Sequence, residues 1–182
     1  ECGQWFRGDR QPDGSYRGTA GGKALCVSQD HMEAAMDDPF WRAYFDLDRD
    51  YAAIREALSA SSPVLAKAAS FAPGIRILQQ DPWEALCSFI ISQNNNIPRI
   101  KGIISRLCEA FGEEMEQGVR CFPSPERLAG LEEEDLAYLR CGFRARYILD
   151  AARKVASGEV DLEALRTAPL AQAREQLMAI VG

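Results

Sequence analysis

The sequence predicts an α+β protein, a small N-terminal antiparallel sheet packed on a mainly α-helical body. Three observations carry that expectation. Residues 1 to about 29 are rich in glycine and turn signals and contain short strand-like runs. From about His31 onward, apolar residues recur three and four apart, the period of an amphipathic helix. The strongest such pattern is Asp81–Phe111, DPWEALCSFIISQNNNIPRIKGIISRLCEAF, which reads as two helices joined by a polar elbow.

Taken in order, Pro12-Asp13-Gly14 forms a strong turn. Trp5-Phe6-Arg7 and Tyr16-Arg17-Gly18-Thr19-Ala20 read as the flanking strands, and Lys23–Ser28 as a third after Gly21-Gly22. His31 lies near the start of a short helix-like segment and is given no role. Pro39-Phe40-Trp41 and Tyr44-Phe45 supply aromatics expected to seat one layer on the next. Asp50 is a cap for a helix carrying Ala53, Ile54 and Leu58. Ser62-Pro63 opens another helix, with Val64, Leu65 and Ala68 as its expected buried face. Phe71–Leu78 is an extended connection. A first domain is therefore expected over 1–78, incomplete at its start because the chain begins inside the sheet, and a helical core over 79–182.

In that core, Asp81 is placed as an N-cap, Pro82 suits the first helical position, and Glu84 stands where a capping-box acid belongs. Leu86, Cys87, Ile90 and Ile91 share a face. Asn94, Asn95 and Asn96 interrupt the pattern, and Pro98 is expected to push Ile97 out of the α region. Ile100, Ile103, Ile104, Leu107, Cys108 and Phe111 form the next stripe, with Arg99 and Arg106 on one flank. Gly112–Gly118 is an acidic, exposed loop. Ser124-Pro125-Glu126 starts a short helix ending at Gly130, and Glu132-Glu133-Glu134 begins another. Ala145, Ile148, Leu149, Ala152, Val155 and Ala156 define a buried face of a helix ending at Gly158. Two further helices are expected over Asp161–Ala164 and Pro169–Ile180, the last with Leu170, Ala173, Leu177 and Ile180 as its stripe.

With 182 residues, 47% apolar and 26% charged, the chain has the composition of an ordinary globular protein. No run of about 18 apolar residues is present to span a membrane, and no signal-peptide pattern opens the chain. Cys2, Cys26, Cys87, Cys108, Cys121 and Cys141 are scattered without CxxC spacing, which points to a reducing compartment rather than a disulfide scaffold or zinc site. The net charge of −6 argues against coating nucleic acid by bulk electrostatics. A local basic patch remains compatible with it.

Two places carry candidate chemistry. Three consecutive asparagines between buried helices serve either as a well-capped turn or as an amide-tipped finger able to enter a duplex, with an arginine one turn away. Arg144 and Arg146 occupy the first turn of a helix, where a cation opposes the dipole by a few tenths of a kcal/mol. Either the acids at Glu132–Asp135 pair with them, or the broken rule marks a functional site beside Phe143.

SFIISQNNNIPRI followed by RLCEAFG resembles the helical core of the 8-oxoguanine DNA glycosylases of the helix-hairpin-helix superfamily. YFDLDRDY, GIRILQQDPWEAL and RCGFRARY fit the same pattern, so the resemblance covers most of the chain. It implies that Asn94 fills the hole left by an extruded base and that Arg99 and Arg144 hold the orphaned cytosine. Phe143 then acts as the aromatic wedge, keeping the stacking face of the family's usual tyrosine without its hydroxyl. Glu1-Cys2-Gly3-Gln4 resembles the segment in which a glycine carbonyl reads the damaged base, which places that role on Gly3. There the family continues with a small residue and Phe-Arg-Trp, where this chain has Trp5, Phe6, Arg7 and Gly8. 8-Oxoguanine carries a hydrogen at N7 where guanine has a lone pair, so one backbone acceptor separates the two.

The resemblance implies base-excision repair of 8-oxoguanine opposite cytosine, by base flipping, with N-glycosylase and AP lyase activity. The partner is double-stranded DNA containing the lesion; no cofactor, metal or membrane is implied, and the protein is expected to be a monomer, cytoplasmic beside a bacterial nucleoid or nuclear in a eukaryote. The cleft is expected between sheet and helices, with 94–99 and 141–146 facing the DNA. Leu177–Gly182 looks like the opening of the superfamily's hairpin, after which the family places a catalytic lysine and an aspartate. Lys23, Lys67, Lys101 and Lys154 match other parts of the pattern, so no catalytic residue is assigned in this chain. The alternatives are a non-catalytic lesion-binding fragment, a purely structural helical domain, and a related glycosylase for alkylated or mismatched bases.

Overall fold

The computed structural model describes residues 3–28, 37–115 and 118–182. His31 and Cys2 lie outside the described residues. Two compact units form, one from Glu1–Cys26 with Gln80–Gly182 and the other from Val27–Gln79.

β1 (Gly8–Arg10), β2 (Tyr16–Ala20) and β3 (Lys23–Val27) form a sheet in that order, β1 antiparallel to β2 with Gly8 opposite Gly18. The first strand thus begins after Trp5-Phe6-Arg7 rather than on it. Trp5 explains the shift. Its indole folds back over Gly8 and Gly18, where a Cβ would lie 2.4–2.5 Å from the ring, and its Nε1 donates to the Thr19 carbonyl at 3.0 Å.

The second unit holds α1 (Pro39–Tyr44), α2 (Tyr51–Ser61) and α3 (Pro63–Phe71). Asp50 caps α2 through the amides of Ala52 and Ala53, and Ser62 caps α3 through Val64. Phe40, Trp41, Tyr44 and Phe45 pack as one aromatic cluster. The expected buried face of α3 is not buried. Val64 is 74% exposed, Leu65 is exposed with Ala68, and neither α2 nor α3 has a buried residue. A two-helix hairpin offers each helix one neighbour, too little to enclose a stripe.

The core lies in the first unit, around α4 (Pro82–Ser92), α5 (Ile97–Phe111), α6 (Pro125–Ala129) and α7 (Arg144–Ala156). Asp81 caps α4 by accepting from the Glu84 amide at 2.8 Å. The Glu84 carboxylate does not close a capping box; it reaches Arg7 at 3.5 Å. Burial raises its pKa above the ordinary glutamate value, with Arg7 opposing that rise. Ile97 opens α5 despite the proline after it, because Asn96 caps the helix through the Arg99 amide. Ile100, Ile103, Ile104, Leu107 and Cys108 are buried as the stripe requires. Burial also pushes the Cys108 thiol up to about 11, and the Cys87 thiol well above its usual value, so both act as small hydrophobes.

Glu132–Glu134 starts no α-helix. Successive i→i+3 bonds, Asp135 to Glu132, Leu136 to Glu133 and Ala137 to Glu134, run into a 3-10 helix at Ala137–Leu139. Its three-residue period buries Leu136 and Leu139 together. In α7 the inward residues are Ala145, Ile148, Leu149, Ala151 and Ala152, while Ala156 is exposed. The last helices are α8 (Leu162–Leu165), capped by Asp161, and α9 (Leu170–Met178). Leu170 is 85% exposed, so the expected stripe of α9 survives only in Ile180, just beyond the helix. No helix of the described residues is long and apolar enough to cross a membrane.

Candidate nucleic-acid interface

The elbow between α4 and α5 divides the asparagines by task. Asn96 is the N-cap of α5. Asn95 turns back, its Nδ2 donating to the Ile91 carbonyl at 3.0 Å, so it satisfies the C-terminal end of α4. Asn94 does neither. It is exposed and sits at φ 44, in the left-handed region that asparagine tolerates better than most residues. The capped-turn reading therefore accounts for two asparagines and leaves the third at the tip.

Opposite the elbow stands the turn Leu139–Phe143. Arg140 has φ 53 and Gly142 φ 63, so the chain reverses between the 3-10 helix and α7 without a side-chain cap on either. Three arginines hold this turn. Arg106 donates from Nε at 3.1 Å and Nη2 at 2.8 Å to the Leu139 carbonyl. Arg99 donates to the Arg140 carbonyl at 3.3 Å, and Arg144 to the Cys141 carbonyl at 3.2 Å. Consecutive carbonyls are thus satisfied by side chains of α5 and α7.

Arg144 also ties the turn to the elbow. Only 3% of its surface is exposed. Its Nε donates to the Gln93 carbonyl at 3.1 Å, and Nη2 donates to the Gln93 and, at 3.2 Å, the Asn94 carbonyls. Four bonds occupy a group with five N–H donors. The cation that opposes the dipole of α7 therefore lies at the C-terminal end of α4, where carbonyl partial charge favours it. It pairs with none of the acids at 132–135; Glu132 binds Arg153 at 3.1 Å instead. The arginines also act on Cys141. Burial pushes its thiol up, and Arg144, Arg106 and Arg99 pull in the opposite direction.

Phe143 is half exposed, its ring edge-on to Tyr147 at 5.6 Å and 4.5 Å from the Arg144 guanidinium. The result is an exposed surface with an amide tip, an aromatic edge and cations from Arg99 and Arg140, in a chain of net charge −6. Asn94, Arg99, Phe143 and Arg144 come together there. Gly3 is exposed with φ 71 and open space at its Cβ position, and no contact with elbow or turn is seen among the described residues. A cavity of about 550 Å³ does open between β1 and α5, lined by Phe6, Lys101 and Cys108 among others, but neither elbow nor turn lines it. Among the described residues no group of three or more His, Cys, Asp or Glu side chains could hold a metal ion.

Sequence reasoning missed the roles of Arg106 and Arg140. Arg106 was legible only as sharing a flank with Arg99. For Arg140, residue type gives no sign of left-handed geometry.

Known proteins share this architecture. The model for the 8-oxoguanine DNA glycosylase N-terminal domain matches residues 1–86, and that for HhH-GPD superfamily base excision DNA repair proteins matches residues 87–181. An N-glycosylase/DNA lyase of Saccharomyces cerevisiae is 44% identical over 93 residues, 48% of this chain and 25% of that protein. MBOgg1, solved in complex with a low affinity DNA ligand, is 45% identical with a TM-score of 0.88, over 100% of this chain and 67% of that one. The Clostridium acetobutylicum 8-oxoguanine glycosylase/lyase, in complex with double-stranded DNA containing cytosine opposite 8-oxoguanine, is 36% identical with a TM-score of 0.85, over 100% of this chain and 66% of that one. The chain spans less than half the length of the first curated relatives it matches.

Proposed function

The chain belongs to the 8-oxoguanine DNA glycosylase family within the HhH-GPD superfamily of base excision DNA repair proteins, and on that footing we propose that it recognises 8-oxoguanine opposite cytosine in duplex DNA by base flipping. The observation that carries this reading is the apposition of Asn94 and Phe143, held by the buried Arg144. Asn94 enters the gap left by the extruded lesion, and Phe143 wedges the opposite strand, which needs only its stacking face. Arg99 and Arg144 donate to the orphaned cytosine, Arg144 exchanging bonds it now makes to the Gln93 and Asn94 carbonyls. The Gly3 carbonyl accepts from N7–H of the lesion and repels the N7 lone pair of guanine.

The proposed activity is that of an N-glycosylase with AP lyase function, and neither Lys101 nor Lys154 serves as its amine nucleophile. Attack of that amine on C1′ expels the base and leaves a Schiff base, from which strand cleavage follows. Lys101 is held by the Gly8 carbonyl at 2.6 Å and Asp9 at 2.7 Å, and Lys154 by Asp150 at 2.9 Å and the Ala179 carbonyl at 2.6 Å. Both serve as cross-links, Lys101 from α5 to β1 and Lys154 from α7 to the residue after α9. The alternative, a lesion-binding fragment without turnover, rests on the same recognition residues. The protein acts as a monomer.

Borohydride trapping of the purified chain on a duplex with 8-oxoguanine opposite cytosine, with fluorescence anisotropy titration of that duplex and its undamaged counterpart, tests the reading. The expected result is tighter binding than to undamaged duplex and no covalent adduct. An adduct would contradict the assignment of the lysines. Equal binding of damaged and undamaged duplex would contradict lesion recognition.

A further inference from the structure

Among the described residues, three that are not glycine have positive φ: Asp46, Asn94 and Arg140. Aspartate and asparagine suit that conformation because a short polar side chain bonds locally; arginine does not. Asp46 has such local partners in Arg49 and Tyr51. Arg140 has none. Its carbonyl is taken by Arg99, while its guanidinium is exposed and makes no hydrogen bond or ion pair within the described structure. A strained backbone presenting an unpaired cation is better explained by a ligand than by the fold.

Its surroundings identify that ligand. Arg140 stands between two fixed points of the interface, Arg99 on one side and Cys141-Gly142-Phe143 on the other. Two of the three left-handed residues, Asn94 and Arg140, belong to the facing elements bridged by Arg144. Glycine would remove the strain at this position and remove the charge with it. We propose that Arg140 is a DNA-backbone contact, donating to a phosphodiester beside the point where Phe143 enters the duplex. This rests on the duplex-binding reading above and adds to it a residue that positions the strand without reading its sequence.

The test is the salt dependence of duplex binding by the purified protein, comparing wild type with Arg140→Asn and Arg140→Lys. Asparagine keeps left-handed tolerance and loses the charge; lysine keeps the charge, which a phosphate reads as a point charge. For Arg140→Asn the slope of log K against log salt is expected to shrink by about 0.9, and affinity to fall about three- to tenfold alike for damaged and undamaged duplex. The melting temperature should not fall, and Arg140→Lys should restore the slope. An unchanged slope in Arg140→Asn overturns the assignment while leaving duplex binding intact. A loss confined to one opposite base overturns it in favour of base readout. Failure of the wild type to bind any duplex overturns the underlying reading, and this inference with it.

Discussion

Arg144→Ala is expected to lower stability by about 3 kcal/mol, because truncation leaves buried carbonyls without their charged donor. That is a large share of a domain's ordinary 5–15 kcal/mol. The side chain makes four bonds, to Gln93, Asn94 and Cys141, from a position only 3% exposed. Its removal unties the elbow from the turn, so Asn94 and Phe143 lose their common frame. Discrimination for cytosine opposite the lesion should then fall more than general duplex binding. Urea unfolding gives the first quantity and binding to duplexes with each of four opposite bases the second. A shift below about 1 kcal/mol would mean that water replaces the guanidinium. Equal losses against all four bases would remove Arg144 from cytosine recognition.

Gly112→Ala is expected to cost about 3 kcal/mol, the upper range for overpacking a well-filled site. Gly112 follows α5 with φ −76, so its backbone would suit any residue. Space is the constraint. A Cβ there would lie 2.1 Å from the Cys121 carbonyl oxygen and 2.5 Å from that of Cys108, both backbone atoms. The segment that crosses Gly112 is fixed by the Cys121 amide on the Glu113 carbonyl at 2.8 Å and by Arg120 on the Gly112 carbonyl at 2.9 Å. Either that crossing opens or the last turn of α5 moves, taking Leu107 and Cys108 with it. An alanine variant with wild-type stability in urea would contradict the close approach.

The parts of the fold that were legible are those where one local rule decides the outcome. Asp81 before Pro82 and the stripe from Ile100 to Cys108 each predict an element that formed. Other elements depended on neighbours that the sequence does not name. Val64 and Leu65 have helical spacing, but α2 alone is too little surface to bury them. Trp5 has the pattern of a strand residue and instead covers two glycines, one ten positions beyond the other. Glu132–Asp135 has the acids of a helix start, yet Leu136 and Leu139 are buried together by a tighter turn.

The family resemblance names Asn94, Arg99, Phe143 and Arg144, and in the structure Arg144 bonds the Asn94 carbonyl and lies over the Phe143 ring while Arg99 bonds the Arg140 carbonyl. That Arg144 points inward was not legible, since a basic first turn looks the same whether it faces solvent or the end of another helix. Arg140 was hidden for a different reason, because the preference for left-handed geometry belongs to glycine and asparagine.

In the proposed mode of recognition, Asn94 and Phe143 enter a duplex together and hold a base pair open. Fluorescence of a cytosine analogue placed opposite 8-oxoguanine tests this directly, because unstacking the analogue raises its emission. Saturating wild-type protein should raise it strongly, and a double variant, Asn94→Ala with Phe143→Ala, should leave it near the free-duplex value even when fully bound. No rise with wild type, or an equal rise with the double variant, would contradict the claim.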